Sequence, residues 1–421
     1  MITLYKIISF LVYLVLWPYG RLKAAKGDPL WLGRLARLPN VTGKDIWLHA
    51  ASVGEVKIMS FLVDYLLEKN DTLSFHLTVM TRTGFQTAGA LFGEKIAISY
   101  FPLDVTPLVR RTLDLIHPRL IIVAETEIWP NMILQASQRN IPLLLVNGRM
   151  SEKAFGKYRL LKSMFSKLLG CYRKFFFKTD EDWRRYMYFD LDERKTITAG
   201  DMKFDAPLLK RSEENIRAVR REIGLEKNDF VFVAGSTRPG EEEILTRVYL
   251  NLKNRLNNLV LVLVPRHLER IDEIKALLER GGVAYTMYEG QTLKPRPEKS
   301  DPSSALVLVN RMGYLNGLYL ASNLAFVGGT LAPLGGHNIL EPVWAGTPVI
   351  FGPHLDNVRE ASEYIIGAEY GCKVTTAEEL ERIIERVYNG EKVFRTKTKT
   401  DLDNSPTARI GEYVLEFLGH D

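Results

Sequence analysis

The sequence predicts an α/β protein built from two doubly wound parallel sheets. Three observations carry that prediction. The chain is 421 residues long, which suits two or three domains. Short apolar, β-branched runs alternate with helical stretches from residue 46 onward, the pattern of a parallel sheet covered on both faces. The alternation breaks once, at Asp205-Ala-Pro-Leu-Leu, and restarts after the charged stretch 210–228.

The elements follow in order. In the first domain, strands are expected at 46–50, 74–79, 97–101, 119–124, 142–146, 174–178 and 195–199. Helices are expected near 54–69, 82–92, 105–115, 128–138 and 181–189. The second series begins with Phe230-Val-Phe-Val-Ala-Gly and continues at 259–264, 283–287, 305–309, 323–327, 348–351 and 371–374. Segment 289–304, with several prolines and charges, reads as a surface loop. The expected division is 1–22, an N-terminal membrane anchor; 23–205, the first domain; 206–400, the second; and 401–421, a helix (about 406–419) returning to the first domain.

Composition excludes several classes. Hydrophobic residues are 46% and charged residues 25%, which is globular rather than disordered. The two cysteines, Cys171 and Cys372, allow neither a disulfide framework nor a cysteine-rich zinc site and fit a reducing compartment. The net charge of +6 is uneven: residues 1–200 carry 28 Lys+Arg against 18 Asp+Glu, so the remainder is net −4. A basic first half suits an anionic partner. No nucleic-acid motif accompanies it, and the acidic second half fits a nucleic-acid binder poorly.

The N-terminus is apolar from Ile7 to Tyr19. About 20 apolar residues span a bilayer, so this run is borderline. Trp17 and Tyr19 stand at one end, and Arg21, Lys23, Lys26, Arg34 and Arg37 follow with Asp28 as the only acid. That order suits an anchor or interfacial helix with the folded chain in the cytoplasm. A cleaved signal peptide is disfavoured by the basic stretch that follows, and a buried core helix is the remaining alternative. Residues 28–38 mix apolar and basic side chains as an interfacial helix would. Residues 151–178 carry eight basic residues and one acid, with Phe155, Tyr158, Leu161, Phe165 and Leu169 at helical spacing. This is a core stripe under a basic face, which either meets solvent or an anionic membrane surface.

In open α/β sheets ligands bind beyond the carboxyl ends of strands, so chemistry is sought there. His49-Ala-Ala-Ser52-Val-Gly54-Glu55 follows the first strand. Ser52 and Glu55 have capping-box spacing, and Glu55 is equally a carboxylate able to take a proton from an attacking hydroxyl. Glu125-Thr-Glu127-Ile-Trp-Pro-Asn131 offers two carboxylates whose ionisation would be coupled at a shared site. Gly200-Asp-Met-Lys203-Phe-Asp205 puts a lysine at the domain boundary. Gly235-Ser236-Thr-Arg238-Pro-Gly-Glu-Glu is an amide nest before an acidic helix start. Neither a dinucleotide fingerprint nor a P-loop occurs. Val264-Pro265-Arg266-His267 places an arginine after a strand. The richest run is Gly328-Gly-Thr-Leu-Ala-Pro-Leu-Gly335-Gly336-His337-Asn338-Ile339-Leu340-Glu341-Pro342. It is a glycine-rich turn into a helix, with Glu341 placed to hold ribose hydroxyls.

Taken together, ASVGE at 51–55, ETEIWPN at 125–131, GDMKFD at 200–205, GSTRPGEE at 235–242, VPRH at 264–267 and GGHNILEP at 335–342 resemble the bacterial 3-deoxy-D-manno-octulosonic acid (Kdo) transferases, in order and approximate spacing. The resemblance implies a GT-B fold: two Rossmann-like domains facing a central cleft. It further implies inverting transfer from CMP-Kdo to the 6'-hydroxyl of a tetraacylated, bisphosphorylated lipid A precursor (lipid IVA) at the cytoplasmic face of the bacterial inner membrane. No resident cofactor or active-site metal is implied. By the same resemblance Glu55 is the general base, and Glu125 and Lys203 support the transition state. Pro265, Arg266, Met312, Gly313, Tyr314 and Asn338 to Glu341 (with Ile339 and Leu340) fall on CMP-binding positions, joined by Ser236, Gly336 and His337. The implied partners are CMP-Kdo, the lipid acceptor and anionic lipids of the inner membrane. Three positions depart from the family pattern: Tyr314 stands where Glu is usual, Arg238 where His is common, and Lys178 where Gln is usual. The competing enzyme reading is another GT-B member acting on a UDP-sugar, a transferase or a 2-epimerase. The non-enzyme reading is a tethered binding protein.

Overall fold

The computed structural model describes residues 1–38, 41, 43–206, 208–209, 212–293 and 305–419. The chain forms two compact units, residues 1–206 with 402–421, and residues 207–401. Most of the loop expected at 289–304 lies outside the described residues.

The first unit holds strands β1 Ile46–Ala50, β2 Phe75–Val79, β3 Ala97–Tyr100, β4 Leu120–Ala124, β5 Leu143–Gly148, β6 Lys174–Phe177 and β7 Thr196–Thr198. They form one parallel sheet in the order β3-β2-β1-β4-β5-β6-β7. The central strand is apolar throughout because both faces are covered, and the strands beside it are buried but admit His49 and Asn147. Every residue of β4, Leu-Ile-Ile-Val-Ala, is buried. Alternation sorts the side chains between two cores. Leu48, Ile122, Leu144 and Val146 enter one, together with Val56 and Leu62 of helix Val53–Lys69 and Ile410 and Val414 of helix Pro406–Gly419. Trp47, Ile121, Val123 and Leu145 enter the other, with Val109, Ile133, Phe175 and Phe177. The C-terminal helix is fixed at both ends within this unit: the Thr407 amide donates to Asp205 Oδ2 at 2.7 Å, and Arg119 donates to the Leu418 carbonyl at 2.8 Å.

Two basic segments fold differently from their periodicity. The expected interfacial helix at 28–38 reduces to Pro29–Arg34. Arg34 turns inward and donates to the carbonyls of Phe101 (3.0 Å) and Met80 (3.2 Å) at the ends of β3 and β2, so this segment serves the domain rather than a surface. The 151–178 stripe is interrupted: helix Glu152–Tyr158 gives way to a 3₁₀ turn at Arg159–Leu161 before helix Lys162–Leu169. Phe165 and Leu169 are buried, and Phe155, Tyr158 and Leu161 pack against the same core.

The second unit holds β8 Phe230–Thr237, β9 Leu259–Pro265, β10 Thr286–Tyr288, β11 Leu306–Val309, β12 Leu324–Val327, β13 Val349–Phe351 and β14 Gly371–Lys373. Its parallel order is β10-β11-β9-β8-β12-β13-β14. Among the described residues, all fourteen strands fall where the apolar runs predict, within a few residues.

Both sheets reverse their direction of growth beside their first strand. In one the reversal lies between β1 and β4, in the other between β8 and β12. These are the topological switch points where open α/β sheets bind ligands.

Candidate active site

At the first switch point, β1 ends and helix Val53–Lys69 begins with Ser52 as N-cap. Ser52 Oγ accepts from the Glu55 amide (3.3 Å) and donates to Glu55 Oε1 (2.8 Å), and Glu55 Oε2 accepts from the Ala51 amide (2.8 Å). The Ser52 half of the expected capping box is formed, while the Glu55 carboxylate reaches one residue further back, to the Ala51 amide, and these bonds hold it at the switch point. Glu55 is 7% exposed. Burial raises its pKa, the Ala51 and Ser52 hydrogen bonds oppose that, and the charge of Glu127 adds to it. A base of raised pKa suits proton transfer near neutral pH.

Across the switch point, Glu125 follows β4 with φ +51°. A glutamate in the left-handed region costs about 1–3 kcal/mol, a strain found preferentially at functional sites. Its pKa is raised by burial first and then by the charge of Glu55. The other charges bearing on Glu125 are Arg149, Asp201 and Lys178, of which Lys178 and Asp201 form a buried ion pair at 3.0 Å. Burial would raise Glu127 too, but His49 and Trp129 outweigh it and hold that carboxyl below the usual range. The Trp129 indole N–H lies 2.9 Å from Glu127 Oε2 and 3.1 Å from His49 Nε2. His49 Nδ1 lies 3.0 Å from the Thr78 hydroxyl.

Lys203 sits on the 3₁₀ turn Met202–Asp205 with an exposed side chain. Its amide donates to Asp201 Oδ1 at 3.0 Å, and its ammonium makes no ion pair among the described residues. The structure thus brings Glu55, Glu125 and Glu127 together, and among the described residues Lys203 pairs with none of them.

The second switch point opens into a cavity of about 320 Å³, near the lower end of the roughly 300–1,000 Å³ usual for small-molecule sites. Ser236, Pro265, Arg266, Met312, Gly313, Tyr314, His337, Asn338 and Glu341 line it, from the ends of β8, β9, β11 and β12. Three other residues singled out from the sequence stand elsewhere. Ile339 and Leu340 are buried core side chains. Gly336 is left-handed (φ +87°) and has Val358 and Thr330 against it, where a Cβ would crowd both.

The wall is cationic. Arg311 also lines the cavity, with its guanidinium 5.0 Å above the Tyr314 ring and a donor on Tyr288 Oη at 3.2 Å. Arg238 donates to His337 Nε2 (3.0 Å) and approaches His267 Nε2 at 2.5 Å. Burial lowers the His337 pKa, and Arg238, Arg266 and His267 lower it further, so a neutral imidazole accepts from Arg238. Glu341 is raised by burial, while the Asn338 hydrogen bond (3.2 Å) and Arg266 act against that.

One part of the anion nest is already filled. Glu241, 1% exposed, accepts from the amides of Arg238 and Gly329 on Oε2 (both 2.9 Å). On Oε1 it accepts from Thr330, Leu331 and Ala332 (2.9–3.1 Å). These donors bind the protein's own carboxylate, so an incoming anion must rely on the arginines and the remaining turn. From the sequence, Glu241 reads as a charge at a helix start. Four of its five partners lie about ninety residues away, and no local signal reports them. His49, Trp129 and Asp201 join the acidic group of the first unit with no sequence signal of their own, and Lys178 is marked in the sequence only as a departure from the family pattern.

Residues 30–206 match the family model described as 3-deoxy-D-manno-octulosonic-acid transferase. The chain is 33% identical to the 3-deoxy-D-manno-octulosonic acid transferase of Haemophilus influenzae over 82% of its own length and 80% of that protein. It is 31% identical to the protein of the same description from Bordetella pertussis, over 84% and 83%. A bifunctional glycosyltransferase/methyltransferase of Fusobacterium nucleatum is 34% identical over 82% of the chain, which spans about half (52%) of that longer protein. Among solved structures, the UDP-GlcNAc 2-epimerase of Neisseria meningitidis superposes with TM-score 0.53 over 90% of this chain and 100% of its own, at 14% identity. That likeness concerns the fold, which is of the GT-B type. On the sequence relatives, the chain belongs to the 3-deoxy-D-manno-octulosonic acid transferase family.

Proposed function

We propose that the protein transfers Kdo, with inversion, from CMP-Kdo to the 6'-hydroxyl of a tetraacylated, bisphosphorylated lipid A precursor at the cytoplasmic face of the inner membrane. The observation that carries this reading is Glu55, a buried carboxylate of raised pKa held at a switch point by Ala51 and Ser52, in a member of this family. The carboxylate takes the proton of the acceptor hydroxyl as its oxygen bonds to the anomeric carbon of Kdo. The bond from that carbon to the CMP phosphate breaks, and CMP leaves with the electron pair. Glu125 and Lys203 support the charge that develops. In the second unit, Arg266 and Arg311 meet the phosphate, Glu341 and Asn338 meet the ribose, and Tyr314 offers a face to the base. No resident metal or cofactor takes part.

The basic first half suits a bisphosphorylated acceptor, and the N-terminal apolar helix suits attachment where such an acylated acceptor resides. Calorimetric titration with CMP and with UDP tests the donor assignment. Binding of CMP, weakened by Arg266→Ala, supports it. Binding of UDP without CMP would replace it with the UDP-sugar alternative.

A further inference from the structure

We infer that the N-terminal helix attaches the protein to the membrane by lying flat in the bilayer surface rather than crossing it. The inference deepens the attachment just proposed and rests on it.

Helix Ile2–Ala25 has 24 residues and is about 36 Å long, enough to span a hydrocarbon core of about 30 Å. Length alone therefore permits a crossing. Its contacts oppose one, because the helix is fastened to the first unit along its whole length. At its start, Ile2 packs on the core cluster that contains Ile133, and Tyr5 Oη donates to Asp104 Oδ2 at 2.9 Å. At mid-length Tyr13 packs on a second cluster, and near the end Ala24 is buried in it with Leu35, Val105 and Leu108. Between these, Gly20 lies against the Trp31 ring with no room for a Cβ. Ile2, Tyr5, Tyr13, Gly20 and Ala24 share one stripe at helical spacing.

The Tyr5 contact is built into the domain. Asp104 is 8% exposed and also accepts from the amides of Asn131 (2.8 Å) and Met132 (2.9 Å), the first turn of helix Pro130–Gln138. Tyr5 and Ala24 are about 29 Å apart along the helix, yet both touch the same unit. A crossing would carry Tyr5 to the far side of the bilayer and strip it from Asp104.

The opposite face is apolar from end to end. Leu4, Ile8, Leu11, Val15 and Leu22 are each at least half exposed, Val15 at 78%. Lys6, Arg21, Lys23 and Lys26 accompany them, with Asp28 the one acid nearby. Arg21 and Lys23 lie over the rings of Trp17 (5.1 Å) and Tyr19 (5.6 Å), an arrangement suited to headgroup depth. Exposed apolar side chains continue onto the flanks at Ile7, Phe10, Val12 and Leu14, and with the cations at the end of the helix this exposed side is complementary to an anionic bilayer surface, immersed about 5–10 Å.

Depth measurement by site-directed spin labelling tests this. Cysteines replace Leu4, Leu11, Val15 and Leu22 one at a time in the full chain, with Cys171→Ser and Cys372→Ser. The protein is reconstituted in vesicles of phosphatidylethanolamine and phosphatidylglycerol. All four positions are exposed, so the labels disturb no packing. Equal, shallow depth at all four positions is expected. A profile deepest at Leu11, with Leu4 and Leu22 at opposite surfaces, would keep the attachment and overturn the flat orientation. Water exposure at all four would overturn both. Strong coupling between labels on different molecules, without lipid contact, would make the face a contact between copies and overturn the inference.

Discussion

Two carboxylates occupy comparable places in the two sheets and do different work. Glu55 follows the first strand of one sheet, and Glu241 follows the first strand of the other, each in the first turn of the next helix. Glu55 accepts two hydrogen bonds from its own turn, whereas Glu241 accepts five backbone amides, four of them from the loop after β12. A carboxylate has roughly four lone-pair sites. Glu241 is saturated and acts as the rivet of its site, while Glu55 keeps accepting capacity for a proton. The mouths differ accordingly. Glu55, Glu125 and Glu127 make the first acidic, whereas Arg266 and Arg311 make the second cationic. Equivalent scaffold positions hold a partly paired carboxylate beside other acids in one unit and a fully paired one beside arginines in the other, so chemical character follows from the side chains and their hydrogen bonds rather than from the fold.

The comparison can be broken at several points. Glu55→Gln keeps an acceptor for the Ala51 amide and removes the proposed base. Steady-state kinetics should show kcat lower by about 10²–10⁴-fold, with CMP affinity unchanged by calorimetry. Loss of CMP binding instead would make Glu55 structural. Glu241→Ala strands five backbone donors. At about 1 kcal/mol or more for each buried unsatisfied group, urea titration should show the second unit destabilised by several kcal/mol. An unchanged midpoint would sink the rivet role. Arg266→Ala should weaken CMP by about 10–100-fold, the worth of a charge-assisted contact of roughly 1.5–3 kcal/mol, and leave the stability of the first unit unchanged.

Titration sharpens the contrast. Because the folded pKa of Glu125 is raised, its contribution to stability is full at acid pH and is lost as pH rises through that pKa. Glu125→Gln should therefore raise Tm by a few degrees at neutral pH and by less in acid; the reverse order would contradict the burial argument. The raised pKa of Glu55 likewise places the acid limb of the kcat profile above the usual carboxylate range, and Glu55→Gln should abolish that limb. The smallest effect expected is none: chelation should leave the rate unchanged.

Much of the fold was legible in the sequence. Fourteen apolar runs became strands because a parallel sheet buried on both faces demands continuous Val, Ile and Leu. Helix Pro406–Gly419 formed at the expected residues. The switch-point rule then directed attention to Glu55, Glu125 and the GGHN turn. Long-range polar pairing was not legible. Arg34 looked like an interfacial cation until its partners, Phe101 and Met80, came within reach. Glu241 with Gly329, and Arg238 with His337, join residues far apart in sequence, and periodicity carries no record of such pairs. Ile339 and Leu340 sit inside a motif but point into the core, since a motif fixes chain position and not side-chain direction.

The most direct test is transfer itself. Purified protein in detergent is given freshly generated CMP-Kdo and the tetraacyl lipid A precursor, with Glu55→Gln alongside, and the lipid is weighed by mass spectrometry. A lipid heavier by whole Kdo units with wild type, and unmodified with the variant, is the predicted result. Kdo transfer by Glu55→Gln at the wild-type rate, or an unmodified lipid with active wild type on another nucleotide sugar, would contradict it.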